Sequence, residues 1–284
     1  FSESGEYESL GHMSVAENGF QFHLQTNINQ QSKEADSTKG GASVADRGQL
    51  SCAHRPGAKI RWMENQTISK DVIFWEVDAQ EDFMKPGGKL YVPGAEKLLP
   101  NLRRLTIAAR EGRVFLVSHG CIHEANDPEF AQFPPHCIRG SAGAKLVPEA
   151  LADKFVTISN ESGAKLPENL AQYQQIVLEK QTLDIFQSRH AESLLARLPR
   201  DAEFIVFGVV TEYCVRLAAK GLLERGRRVS VVRDAIETLN PEESKRTLQE
   251  LKTLGATLIA TQDALKRVGA LTKPIQSESS QSHN

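Results

Sequence analysis

The sequence predicts an α/β fold: a single domain on a doubly wound, mostly parallel six-stranded sheet with helices on both faces. Three observations predict it. Short apolar runs alternate with helical patterns along the central two thirds of the chain. The runs are continuously apolar rather than alternating, as strands covered on both faces are. Helix boundary signals fall between them.

Taken in order, strands are expected over 71–77 (DVIFWEV), 114–118 (VFLVS), 175–179 (QIVLE), 204–208 (FIVFG), 228–232 (RVSVV) and 256–260 (ATLIA). Between them, 95–111, 190–198, 212–225 and 241–254 repeat apolar residues with the 3.6-residue helical period. Leu217, Leu222 and Leu223, then Leu248, Leu251 and Leu254, form inward stripes. Gly226 and Gly255 read as C-terminal caps, and Asn240-Pro241 as an N-cap with proline in the first helical position.

The chain of 284 residues has room for two domains, yet its ends are polar. Ser, Gly, Gln, Asn and Glu dominate the first fifty residues, and the last dozen are similar. Such segments bury too little apolar surface to offset their ordering entropy. The expected division is a polar, unfolded flank over 1–67, one domain over 68–271 and a polar tail over 272–284. A net charge of -2 argues against a nucleic-acid binder. No stretch of eighteen apolar residues is present, so no membrane span is expected. Four cysteines in a chain this long are too few for a disulfide scaffold, which points to a reducing, cytoplasmic compartment.

In parallel sheets, function gathers outside the carboxyl ends of the strands. Asp78 follows the first strand, Lys180 the third, and Cys214 opens the helix after the fourth. Each has an ordinary reading: a turn aspartate, a surface lysine, a buried cysteine behaving as a small hydrophobe. Together at the exits of one sheet they would supply a base, a cation and a nucleophile favoured by a helix N-terminus, the requirements of acyl transfer.

At these residues the sequence resembles the isochorismatase-like cysteine hydrolases, and within them the nicotinamidases. The segment from Asp78 to Phe83 (DAQEDF) with Pro86-Gly87-Gly88 resembles their opening D-x-Q-x-D-F…P-G-G motif. Gly208 to Val215 (GVVTEYCV) resembles their nucleophile turn, and Phe133 to Cys137 (FPPHC) with Gly140 to Ala144 resembles a nicotinamidase stretch. The resemblance implies a Cys214–Asp78–Lys180 triad, backbone N–H groups of Cys214 and Val210 as oxyanion donors, and a cis peptide near Val209-Val210. It also implies aromatic walls from Phe83, Phe133 and Tyr213 around a flat substrate. Phe133 stands where tryptophan is usual.

The resemblance implies a divalent metal as well, held by His123 and His136, with Cys121 where the family has aspartate. A Cys/His/His set with one position open suits zinc, and a thiolate disfavours manganese and magnesium. His119 reads as a neighbouring loop residue and Cys137 as structural. No organic cofactor is expected. The expected function is hydrolysis of a small planar amide, nicotinamide-like, to acid and ammonia through a cysteine thioester, with a small-molecule amide as the partner and a homo-oligomer, dimer or tetramer, as the assembly. The alternative is a metal-independent cysteine hydrolase acting on a ureido, carbamoyl or other small amide. A non-catalytic binding protein that keeps the fold is the third reading.

Overall fold

A computed structural model describes residues 70–269, so the flank over 1–67 and the tail over 272–284 lie outside the described residues. Seven strands among the described residues form one parallel sheet: β1 (Val72–Val77), β2 (Phe115–Cys121), β3 (Phe155–Ile158), β4 (Gln175–Lys180), β5 (Glu203–Gly208), β6 (Arg228–Ile236) and β7 (Thr257–Ile259). Their order is β3-β4-β2-β1-β5-β6-β7, with β1 at the centre.

Six strands were expected, and β3 is the seventh. It lies at the sheet edge with Phe155 43% exposed, so it carries no buried apolar run that would announce it. β2 and β6 also run further than expected. β2 continues through His119-Gly120-Cys121 because β4 pairs with it to the end, in the register Cys121↔Lys180. His119 is therefore a buried strand residue, not a loop residue as the sequence suggested.

Six α-helices accompany the strands among the described residues: α1 (Glu81–Met84), α2 (Leu99–Arg110), α3 (Ala191–Leu195), α4 (Arg216–Glu224), α5 (Pro241–Thr253) and α6 (Thr261–Arg267). Side chains alternate across β1. Ile73, Trp75 and Val77 pack with residues of α3 and α4, whereas Phe74 packs with Leu102, Leu105 and Ala108 of α2 on the opposite face. Each fully buried Leu on such a helix contributes about 1.5–3 kcal/mol by leaving water. The expected boundaries hold at α5, where the Asn240 side chain accepts from the Glu242 and Glu243 N–H groups ahead of Pro241.

The chain lays β2, β3 and β4 on one side of β1, then returns to place β5 on the other. That reversal is the topological switch point, where an open parallel sheet leaves a crevice outside its carboxyl ends. Asp78, Cys121, Lys180 and the turn after Gly208 all emerge there.

Candidate active site

Asp78 leaves β1 with a left-handed φ of 51°, a conformation that aspartate tolerates better than most residues. Its N–H donates to the His119 carbonyl at 2.9 Å. Lys180 ends β4 and is fully buried beneath the crevice. Its Nζ lies 3.0 Å from Asp78 Oδ2, 2.8 Å from Cys121 Sγ and 3.6 Å from Cys214 Sγ. The three expected triad residues therefore meet around one ammonium, joined there by a second sulfur.

Cys214 sits in a wide π turn, Thr211–Val215, between β5 and α4. Gly208 makes this turn possible: its φ is 121°, and a Cβ there would stand 2.0 Å from the Val77 carbonyl oxygen. The Val209–Val210 peptide is cis, as the resemblance implied. Two anchors hold the turn. Thr211 donates both its N–H and its hydroxyl to the Glu237 carbonyl at 2.8 Å, and the Glu212 carboxylate accepts from the N–H groups of Leu239 and Asn240. The Val209 N–H goes to Val77 and the Thr211 N–H to Glu237, while the Val210 N–H between them makes no backbone hydrogen bond. Val210 and Cys214 line the same pocket.

The second half of the site hangs on two buried side chains that the motif contains but whose partners the sequence does not reveal. Gln80 donates to the carbonyls of Cys121 and Ala144 at 2.7 and 2.8 Å and accepts from the Cys121 N–H at 2.7 Å. Asp82 accepts from the Cys137 N–H at 2.7 Å and the Lys89 N–H at 3.0 Å. Gly143 makes room for it, since a Cβ there would lie 2.2 Å from the Asp82 carboxylate. The strand end and the His136–Cys137 loop are thereby fastened to the first turn of the chain beyond β1. Cys137 itself is buried, and its thiol is pushed up by desolvation, which suits a packing role.

Cys121, His123 and His136 each offer a ligand atom, and these atoms lie within 4.8 Å of one another. The Nδ1 atom of His123 faces Asp127 Oδ2 at 3.0 Å, and that of His136 faces the Pro134 carbonyl at 2.8 Å. Both Nε2 atoms are then the ones available to an ion, the arrangement seen when a carboxylate or carbonyl orients a ligating histidine. The buried Nε2 of His123 has no hydrogen-bond partner. One thiol and two imidazoles, one of them with an orphaned ring nitrogen, fit a divalent metal.

The charges are crowded. Burial works against the Lys180 ammonium, but Asp78 and the two sulfurs outweigh it and raise its pKa. The Cys121 thiol is pushed well down, first by its contact with Cys214, and further by Lys180 and the two histidines once burial is overcome. Cys214 is pushed up, because it donates toward Cys121 and is buried. Burial opposes a charge on His123, yet Cys121 and Asp127 raise its pKa to about 9, a proton that a metal ion would displace.

A narrow pocket of about 30 Å³ opens above these groups. Asp78, Cys121, Cys214, His136, Phe83, Phe133, Val210 and Tyr213 line it, so every expected wall residue faces one space. Phe133 meets Tyr213 edge-on at 6.1 Å, and Phe83 tilts against His136 at 5.3 Å. Lys180 and His123 lie behind the lining. Glu129, Leu183 and Leu239, which the sequence did not single out, also line the pocket, and His119, expected in a loop, has its Nδ1 3.4 Å from Asp78 Oδ1 without hydrogen-bond alignment. Glu129 is one of three acids, with Glu124 and Asp127, between the two histidines.

The isochorismatase domain family matches residues 150–263, a stretch that holds Lys180 and Cys214. Over that stretch the chain is similar to the isochorismatase domain. Similarity extends upstream of the matched stretch: a nicotinamidase of Escherichia coli (strain K12) is 25% identical over 209 residues, 66% of this chain and 93% of that protein. A maleamate amidohydrolase of Pseudomonas putida is 22% identical over 207 residues, 73% of this chain and 91% of that protein. The crystal structure of a Pyrococcus horikoshii pyrazinamidase in complex with zinc superposes with a TM-score of 0.53 at 27% identity, covering 67% of this chain and 99% of that one. No helix among the described residues is long and apolar enough to cross a membrane.

Proposed function

We propose that this protein is an amidohydrolase that converts a small planar amide, nicotinamide or a close relative, into its acid and ammonia through a thioester on Cys214. The observation that carries this reading is the meeting of Cys214, Asp78 and Lys180 at one buried ammonium under an apolar pocket. The relatives named nicotinamidase and pyrazinamidase support it.

In this mechanism the Cys214 sulfur attacks the amide carbon while its proton passes to Asp78, the general base. The carbonyl oxygen becomes an oxyanion against the N–H groups of Val210 and Cys214, donors fixed before the reaction and therefore free of reorganisation cost. Asp78 returns the proton to the nitrogen, the C–N bond breaks, and ammonia departs. Water then attacks the thioester, giving a proton to Asp78, and the acid leaves as the thiol re-forms. Lys180 keeps Asp78 aimed and offsets the negative charge that moves between carboxylate, sulfur and oxyanion. Phe83, Phe133 and Tyr213 hold a flat ring at the mouth.

Cys121, His123 and His136 would hold the metal, and the sulfur donor favours zinc. When bound, the ion supplies a Lewis acid for a ring nitrogen of the substrate. One observation favours the metal-independent alternative, a hydrolase of ureido or carbamoyl amides: the Lys180 ammonium already occupies one side of the Cys121 sulfur at 2.8 Å. Elemental analysis of active protein separates the two. The test of the function itself is ammonia release from a panel of amides by wild type and Cys214→Ala. The expected result is release from a planar heteroaromatic amide that the variant abolishes; equal release by both proteins refutes the thioester route.

A further inference from the structure

We propose that Glu76, fully buried in β1, is a positioning residue for Asp78: its carboxyl fixes the Asp78–Ala79 peptide and with it the aim of the base. This deepens the amidohydrolase reading and rests on it. The Glu76 Oε1 atom accepts from the Ala79 N–H at 2.9 Å. That N–H lies beyond the strand ladder. On one side of β1 the Asp78 N–H goes to the His119 carbonyl of β2, and on the other the Val77 carbonyl accepts from Val209 beyond β5. One residue further on, Ala79 finds its acceptor in a side chain.

The Asp78 side chain has few contacts of its own to correct its direction. Oδ2 meets Lys180 at 3.0 Å, and Oδ1 has no hydrogen-bond partner. The aim of the carboxylate is therefore inherited from a backbone that turns with φ 51°. Three bonds between backbone groups hold this turn. The Asp78 N–H donates to His119 at 2.9 Å, the Gln80 N–H to the Asp78 carbonyl at 2.8 Å, and the Val147 N–H to the Ala79 carbonyl at 2.8 Å. Glu76 supplies the fourth. An apolar side chain in its place would leave the Ala79 N–H buried without a partner and the Asp78–Ala79 peptide free to tilt.

Glu76 shares the α2 face of β1 with Phe74, where a bare charge is costly. Burial raises its pKa to about 8, so near pH 7 the carboxyl is mostly neutral. It then accepts the Ala79 N–H through its carbonyl oxygen without setting a second negative charge behind Asp78. Ser118, its register partner on β2, is buried as well and accepts from the Gln175 side chain at 2.7 Å. The carboxyl thus stands beside a fixed polar group rather than in a wholly apolar core.

The test compares hydrolysis of nicotinamide and of its ester analogue methyl nicotinate by the purified full chain, for wild type, Glu76→Met and Glu76→Gln. Both reactions begin with the same thiol attack, but the amide depends far more on Asp78 to protonate its departing group. The amide-to-ester ratio of kcat/KM is taken on each sample, which cancels differences in folded fraction. Glu76→Met should lower that ratio roughly tenfold, through an amide rate that falls by up to about a hundredfold, the scale of a misplacement of about 1 Å. Glu76→Gln, which keeps an acceptor oxygen, should restore the ratio to within about threefold of wild type. A ratio unmoved in Glu76→Met, or lowered as far in Glu76→Gln, overturns the proposal. Amide exchange at Ala79, followed by NMR in wild type and Glu76→Gln, needs neither turnover nor a folded Glu76→Met. Exchange as slow as the β1 amides in both proteins upholds the bond, and fast exchange in either overturns it. If wild type hydrolyses neither compound, the amidohydrolase reading fails on its own, and the exchange result still decides whether Glu76 holds the turn.

Discussion

Replacing Lys180 by methionine removes the cation on which the site converges and keeps most of the stem that packs beneath the crevice. Its Nζ is 3.0 Å from Asp78 Oδ2, and both side chains are buried, at 0% and 2% exposure. Breaking a buried pair by deleting one partner leaves the other charge without compensation and costs about 3–5 kcal/mol. Folding equilibrium should therefore fall by roughly two to four powers of ten. Asp78→Asn alone should cost less, because Lys180 keeps the Cys121 sulfur at 2.8 Å. The double variant should recover part of the loss, with a coupling above about 1 kcal/mol, since neither charge is then left unmatched. Urea unfolding of wild type, the two single variants and the double variant at pH 7 gives all four values. A Lys180→Met protein within about 1 kcal/mol of wild type, or losses that simply add within about 0.5 kcal/mol, would refute the picture of a charge-matched centre.

Glu76, buried inside β1 with one carboxylate oxygen unpartnered, has its pKa raised by desolvation to about 8. An acid whose folded pKa lies above its unfolded value gives stability that is complete below the unfolded pKa and lost as pH rises through the folded one. Glu76→Gln should therefore flatten the wild-type decline between about pH 4.5 and 8, by up to about 1.4 kcal/mol per pH unit; an unchanged slope in urea titrations across that range counts against a neutral Glu76. Gly208→Ala meets both a φ of 121° and the Val77 carbonyl, so it should lose at least about 1–3 kcal/mol; a thermal midpoint within about 2 °C of wild type would contradict that. Metal analysis after zinc loading should find about one ion per chain in wild type and much less in Cys121→Ala, while Cys121→Asp should shift preference toward manganese. Equal zinc retention in Cys121→Ala removes Cys121 from the ligand set.

The fold was legible where burial leaves a local mark. The apolar runs of β1, β5 and β6 and the Asn240-Pro241 cap could be read because each needs only its own few residues. β3 could not, since an edge strand that exposes Phe155 has no apolar run to display. The π turn around Cys214 was expected as the start of an ordinary helix, because the pinning of Thr211 and Glu212 comes from residues 237–240, a contact set by tertiary structure. In the site, the chemistry-bearing residue types were visible at the strand exits and in the motifs. Their supports were not: Gln80 reaches Cys121 and Ala144 across 41 and 64 residues. The contact of Cys121 with Lys180 likewise follows from the β2–β4 register, which spacing along the chain does not disclose.

The thioester on Cys214 is the centre of this account, and intact-protein mass spectrometry during turnover tests it most directly. Acid-quenched samples taken early with a heteroaromatic amide in excess should carry one added acyl group, located on Cys214 by peptide mapping, lost over time and absent in Cys214→Ala. Turnover with no acyl adduct under any quench, or an adduct mapped to Cys121 in place of Cys214, would contradict it.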